Sequence, residues 1–110
     1  MKVMNAFSLQ MLTSLFEDSC AINVTFKRVD VEYVKEVLEV MGCESHVGHA
    51  DIAHIMSEQL GITVAFNRQN TALSVGESAL ICQYVGGRLP EGVTTLPEGA
   101  ELRWYEVTVH

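Results

Sequence analysis

The chain has 110 residues, 48% of them hydrophobic and 19% charged. This is the size and composition of one globular domain, and it excludes a disordered or collagen-like chain. No apolar run reaches the ~18 residues of a membrane span, and the first residues lack the apolar core of a signal peptide. Seven Lys and Arg face 14 Asp and Glu, a net charge of −7 that repels duplex nucleic acid and anionic membrane surfaces. Cys20, Cys43 and Cys82 are odd in number and widely spaced, which excludes a disulfide framework. Cys20 and Cys82 lie in apolar stretches and are expected as small core residues, in keeping with a reducing cytoplasm.

The elements follow from hydrophobic period and punctuation. Val3 to Phe7 reads as a first strand. Ser8 is expected to cap a helix carrying Leu9, Met11, Leu12, Leu15 and Phe16 at three- and four-residue steps. Ile22, Val24 and Phe26 alternate with polar residues, as in a half-buried strand. Asp30 opens a second helix with Val31, Val34, Leu38 and Met41 on its apolar face, and Gly42 ends it. Ser45 to Val47 is a short strand leading into Gly48 and His49. A third helix runs from Ala50 to Leu60, with Ile52, Ile55, Met56 and Leu60 inward and Gly61 at its end.

Beyond it the period changes to two. Ile62, Val64 and Phe66 alternate before Asn67, Gln69 and Asn70 break the pattern. Thr71 to Val75 and Ser78 to Val85 read as two strands around a Gly76-Glu77 turn. Gly86 to Gly99 holds four of the eight glycines and both prolines, and is expected as a loop longer than a plain connection. Leu102 to Val109 forms the last strand. The order implies a single α/β domain, a mixed sheet flanked by about three helices.

Several places could carry chemistry. His49 follows Gly48 at a strand-to-helix junction, where free N–H groups favour an anion and a histidine can give a proton to a leaving oxygen. From spacing alone, a packing or capping residue is the better reading. Asn5 and Ser8 lie where the first strand hands over to the first helix, a position where open α/β sheets bind ligands; taken alone, Ser8 reads better as a plain N-cap. Arg68, after Asn67, and Arg88, with Glu91 three residues on, offer phosphate-gripping side chains, or are solvated surface charges. His46, His49 and His54 are spaced wrongly for a metal and no carboxylate or cysteine completes a set, so neither metal nor cofactor is expected. Nucleophile-elbow, P-loop and dinucleotide-binding signatures are absent.

Five segments, in order, resemble the viral ring nucleases, type III anti-CRISPR proteins of archaeal viruses with relatives in phages and bacteria. They are Asn5-Ala6-Phe7-Ser8-Leu9-Gln10-Met11-Leu12, Gly48-His49-Ala50-Asp51-Ile52, Asn67-Arg68, Arg88-Leu89-Pro90-Glu91-Gly92 and Trp104-Tyr105-Glu106-Val107. The resemblance implies a homodimer that binds cyclic tetra-adenylate and cuts it to linear di-adenylate without a metal. It implies His49 as general acid, Arg88 and Glu91 on a loop that closes over the ligand, and Asn5, Ser8, Gly48 and Arg68 as ligand-binding residues. The chain departs from the family at Ala50, where several relatives carry an acid, and in the Gly and Pro content of its loop. Two other functions fit the residues: a cyclic-nucleotide-binding dimer without turnover, and an interaction protein with no small ligand.

Overall fold

Strand β4 (Ser78–Val85) and strand β5 (Glu101–Val109) form the long antiparallel centre of a five-stranded mixed sheet in the computed structural model, which describes residues 1–17 and 20–110. Strand β2 (Val24–Val29) lies antiparallel on the outer side of β5. On the other side β1 (Lys2–Met4) pairs in parallel with β4 and with the edge strand β3 (Glu44–His46), giving the order β2-β5-β4-β1-β3. Helices α1 (Val31–Met41) and α2 (Ala50–Leu60) and a 3-10 helix (Leu9–Leu15) complete the α/β fold. Among the described residues no helix is long and apolar enough to cross a membrane.

The two-residue alternation of the strands builds a core on each face of the sheet. Val3, Leu80, Cys82, Leu102 and Trp104 meet Val34 and Leu38 of α1 and Ile52, Ile55 and Met56 of α2. Met4, Ala79, Ile81, Val107 and Val109 point the other way, to Leu12 and Leu73. Both α-helices thus cover one face, while the 3-10 helix and the segment through Leu73 cover the other. Burial pushes the Cys82 thiol up to about 12, so it packs as a small apolar group. The Trp104 indole N–H donates to Gln59 Oε1 at 3.0 Å, joining β5 to α2.

Both α-helices begin and end where the sequence punctuates them. Asp30 Oδ1 accepts the Tyr33 N–H at 2.9 Å, which satisfies one of the helix's unpaired donors. Gly61 closes α2 with φ +66°, a left-handed position that suits glycine. Met41, expected on the buried face of α1, is the last residue of the helix and is 60% exposed.

Other expectations shift. The first strand is Lys2–Met4 rather than Val3 to Phe7. The helix after Ser8 is a 3-10 helix, with the Ser8 hydroxyl accepting the Gln10 N–H at 3.1 Å. Phe16, expected in that helix, follows its end and is half exposed. The strand read from Ile22 to Phe26 starts at Val24 and runs to Val29, paired along its length with β5. Residues 62–66 form one parallel bridge, Val47 to Phe66, rather than a strand. Thr71 to Val75 is not a strand either: its Leu73 N–H donates to Met11 O at 3.0 Å and its side chain enters the second core. A single buried leucine gave that segment its strand-like pattern. Cys20 is exposed, outside both cores.

Leu80 is fully buried in the central strand and faces the helical layer. Leu80→Ala is expected to lower unfolding free energy by about 2–5 kcal/mol, with an unchanged denaturant slope in urea. A loss below about 1 kcal/mol would place that core elsewhere.

Candidate functional site

The parallel strands β1 and β3 end side by side, and the residues that leave them are held against each other. Asn5, directly after β1, accepts the Gly48 N–H on its Oδ1 at 3.2 Å. A third stretch joins them from residues 65–69. The Asn67 N–H donates to Val47 O at 2.8 Å, and its side-chain amide donates to Ser45 O at 2.8 Å. The Ser45 hydroxyl donates to Ala65 O at 2.5 Å. Arg68 consequently lies across Gly48, so close that a Cβ on Gly48 would sit 3.3 Å from Arg68 Cγ. A side chain at position 48 would push Arg68 aside by a few tenths of an ångström.

These contacts open a cleft of about 660 Å³. Asn5, Ser8, Gln10, Gly48, Arg68 and Asn70 line it, with His46 and Thr71. Four residues expected from sequence as ligand-binding, Asn5, Ser8, Gly48 and Arg68, therefore converge from distant parts of the chain. The lining is rich in amide and hydroxyl groups, with the guanidinium of Arg68 and the imidazole of His46 among them. His46 Nε2 lies 2.6 Å from Glu44 Oε2 and its Nδ1 3.3 Å from Gln69 O. The His46 contact is the main cause holding the Glu44 carboxyl below its usual range; burial opposes it, and the charges of His46, Lys2 and the N-terminal amine reinforce it.

His49, Arg88 and Glu91 stand outside this lining. His49 is the N-cap of α2, and its Nδ1 accepts the Ile52 N–H at 3.2 Å. That contact leaves Nε2 as the outward nitrogen and as the one able to carry the proton of a neutral ring. Arg88 and Glu91 are exposed on the loop between β4 and β5. The loop is anchored: Leu89 and Leu96 pack on the helical core, the Tyr84 hydroxyl donates to Gly87 O at 2.9 Å, and the Gly92 N–H donates to Asp51 Oδ2 at 3.0 Å. Asp51 belongs to the first turn of α2, where the helix dipole favours an acid. This bond brings the residue after Glu91 to the helix that His49 caps. The chemistry-bearing residues thus form two groups, the cleft and the α2 N-terminus with its loop, joined through Gly48-His49.

A shallower apolar groove of about 380 Å³ adjoins the cleft and shares Asn5 and Ala6 with it. Phe7 meets Phe26 edge-on there, with ring centroids 5.3 Å apart, and Gln83 and Tyr105 complete the wall. Sequence reasoning singled out none of Gln10, Asn70, Thr71 or Gln83 as functional. The signal for Gln83 was its place as the one exposed polar residue in the apolar run of β4.

The STIV B116-like family model matches residues 1–107. The chain belongs to the STIV B116-like family. This is the family of viral ring nucleases that the five sequence segments resemble. Among solved structures, B116 of Sulfolobus turreted icosahedral virus is similar to it, with 25% identity, a TM-score of 0.70 and 97% of each chain covered. No curated protein matches the chain.

The Asp51–Gly92 bond is a local tie between α2 and the loop. In Asp51→Ala, hydrogen exchange of the amides at 91–93 is expected to quicken by about tenfold, while global stability falls by no more than about 1–2 kcal/mol. Asp51→Asn keeps an acceptor oxygen and should retain most of the protection. Unchanged exchange in Asp51→Ala would show that the apolar anchors Leu89 and Leu96 hold the loop alone.

Proposed function

We propose that the chain is a ring nuclease that binds cyclic tetra-adenylate as a homodimer and cuts it to linear di-adenylate, switching off type III CRISPR signalling. The observation that carries this reading is the Gly48-His49 junction. There the polar cleft, with Arg68 over Gly48, meets the α2 N-terminus and its histidine, in a chain of the STIV B116-like family. A ring of four nucleotides contains a two-fold axis, so a two-fold dimer offers it two equivalent half-sites. Arg68 supplies a bidentate grip on phosphate, and Asn5, Ser8, Gln10 and Asn70 supply donors and acceptors for ribose and base.

Cleavage needs little from the protein beyond geometry and charge. A ribose 2′-hydroxyl attacks the adjacent phosphorus and gives its proton to solvent, the bond to the 5′-oxygen breaks, and a 2′,3′-cyclic phosphate and a free 5′-hydroxyl result. His49 gives a proton to the departing oxygen from Nε2. To act as an acid the ring must carry a second proton on Nδ1, and that proton ends the bond from the Ile52 N–H. A phosphate at the α2 N-terminus offsets the ring's added charge and occupies the N–H groups that the ring releases. On the loop tied to α2 by the Gly92–Asp51 bond, Arg88 neutralises charge growing on the phosphate oxygens and Glu91 orients the attacking ribose. No metal enters this scheme, and among the described residues no three His, Cys, Asp or Glu side chains gather as a ligand set.

The cap on His49 Nδ1 favours one other reading, a protein that binds the ring without turnover. Both readings use the same cleft and part on rate. His49→Asn separates them, because asparagine keeps an N-cap acceptor for α2 but supplies no acid. The expected result is full binding of cyclic tetra-adenylate and a rate at least about 10²-fold lower, with the parent equally active in excess EDTA. Light scattering is expected to give a dimer at micromolar concentration. A parent protein that binds the ring but never cuts it would leave the binding reading; loss of parent activity in EDTA would overturn the metal-free scheme.

A further inference from the structure

His46 is not among the residues to which the family resemblance points, yet it occupies the cleft wall with its side chain only 10% exposed. Its two ring nitrogens face two groups that only accept. Nδ1 lies 3.3 Å from the carbonyl oxygen of Gln69, and Nε2 lies 2.6 Å from a carboxylate oxygen of Glu44. A neutral imidazole has one N–H and satisfies one of these acceptors; both contacts together need a proton on each nitrogen. The two partners sit on different parts of the fold. Glu44 is on β3 with His46, while Gln69 follows Arg68 in the stretch that lies over Gly48.

We propose that His46 is a proton-operated latch that ties the Arg68-bearing segment, residues 67–71, to the edge strand β3. When both nitrogens are protonated, the ring bridges Glu44 and the Gln69 carbonyl and fixes Arg68 toward the cleft. When one proton leaves, the ring keeps a single partner. The short contact to Glu44 and the longer one to Gln69 decide which is surrendered: the ring stays on β3, and the Gln69 backbone is let go. Asn67 remains bonded to Val47 and Ser45, so the segment pivots on Asn67 and the loosened part begins at Arg68.

The charges around the ring are few. On its own strand it faces Glu44, whose carboxyl is held ionised by His46 and, more weakly, by Lys2 of β1 and the N-terminal amine. Across the cleft is Arg68, and His49 caps α2 three residues on. Arg68 and any second cation disfavour the added proton; Glu44 and an anionic ligand favour it. A bound phosphate and a protonated His46 therefore support each other, and by linkage each strengthens the other. The latch rests on the proposed ring-binding function only for its ligand; the contacts themselves belong to the free protein.

The test has two arms. Long-range proton–nitrogen spectra of the histidine rings in the free protein count the protons on His46 as pH is raised from 5.5 to 9. The expected result is that loss of one ring proton coincides with shifts of the Gln69 and Asn70 amides, that Glu44→Ala moves this midpoint to lower pH, and that His46→Gln abolishes it. Amide signals at 69 and 70 that ignore the His46 titration, or a midpoint untouched by Glu44→Ala, would overturn the latch. In the second arm, affinity for cyclic tetra-adenylate is measured across the same pH range. It should fall by about threefold to tenfold through the His46 midpoint in the parent, the range expected from one intramolecular hydrogen bond, and show no such step in His46→Gln. Absence of ring binding at every pH would sink the proposed function and leave the first arm to decide the latch.

Discussion

Three residues, Lys2 to Met4, carry the constraint on which the rest of the structure depends. Strand β1 pairs in parallel with β4 on one side and β3 on the other, so it alone connects the edge strand to the sheet centre. Val3 and Met4 point to opposite faces and are buried in the two cores. Parallel neighbours must share direction, so β1 and β3 end at the same edge of the sheet. The chain leaving β1 therefore meets the chain leaving β3, and Asn5 reaches the Gly48 N–H. Ligands of open α/β sheets lie outside the carboxyl ends of strands, and the cleft is in that position. A short strand thus sets fold and site together.

Electrostatics divides the work. The chain as a whole carries −7, which disfavours long polyanions. Against that background Arg68 and His46 face one small cleft, and the unpaired N–H groups of α2 begin beside it. A compact anion gains from this local contrast, whereas an extended nucleic acid would also meet the net negative charge of the rest of the chain. The capping of α2 by His49 adds a second coupling. The ring that could give a proton is also the group that satisfies the helix end, so an anion arriving there changes the ring's partners as well as its charge.

Local signals were legible in the sequence wherever a polar cap and a glycine enclosed a periodic apolar face. Asp30 with Gly42 and His49 with Gly61 bound α1 and α2, and the apolar run Ser78 to Val85 is a strand end to end. Alternation without a pairing partner misled. Thr71 to Val75 has strand-like composition, but its neighbour is the 3-10 helix, reached through one bond from Leu73 to Met11. Cys20 lies among apolar residues in the chain and on the surface in space. Asn5, Ser8, Gly48 and Arg68, which line the cleft together, drew notice in the sequence because they stand at element ends or carry phosphate-binding chemistry. His46 was weighed only as a metal ligand, because its partners Glu44 and Gln69 are joined to it by strand geometry and by a contact across 23 positions. Arg88 and Glu91 lie outside the cleft lining, on a loop held by the Gly92–Asp51 bond and the packing of Leu89 and Leu96, contacts that no spacing in the sequence reveals.

The most direct test of the cleft as the ligand site is an amide chemical-shift map of the His49→Asn protein titrated with cyclic tetra-adenylate. Saturable shifts are expected at Asn5, Ser8 and Gln10, at Gly48, and from Arg68 to Thr71, with smaller ones where the loop meets Asp51. Shifts of β2, α1 and the outer side of β5 should be slight. Saturable binding that leaves Asn5, Gly48 and Arg68 unmoved, or no binding at micromolar concentration, would contradict the assignment of this cleft as the site.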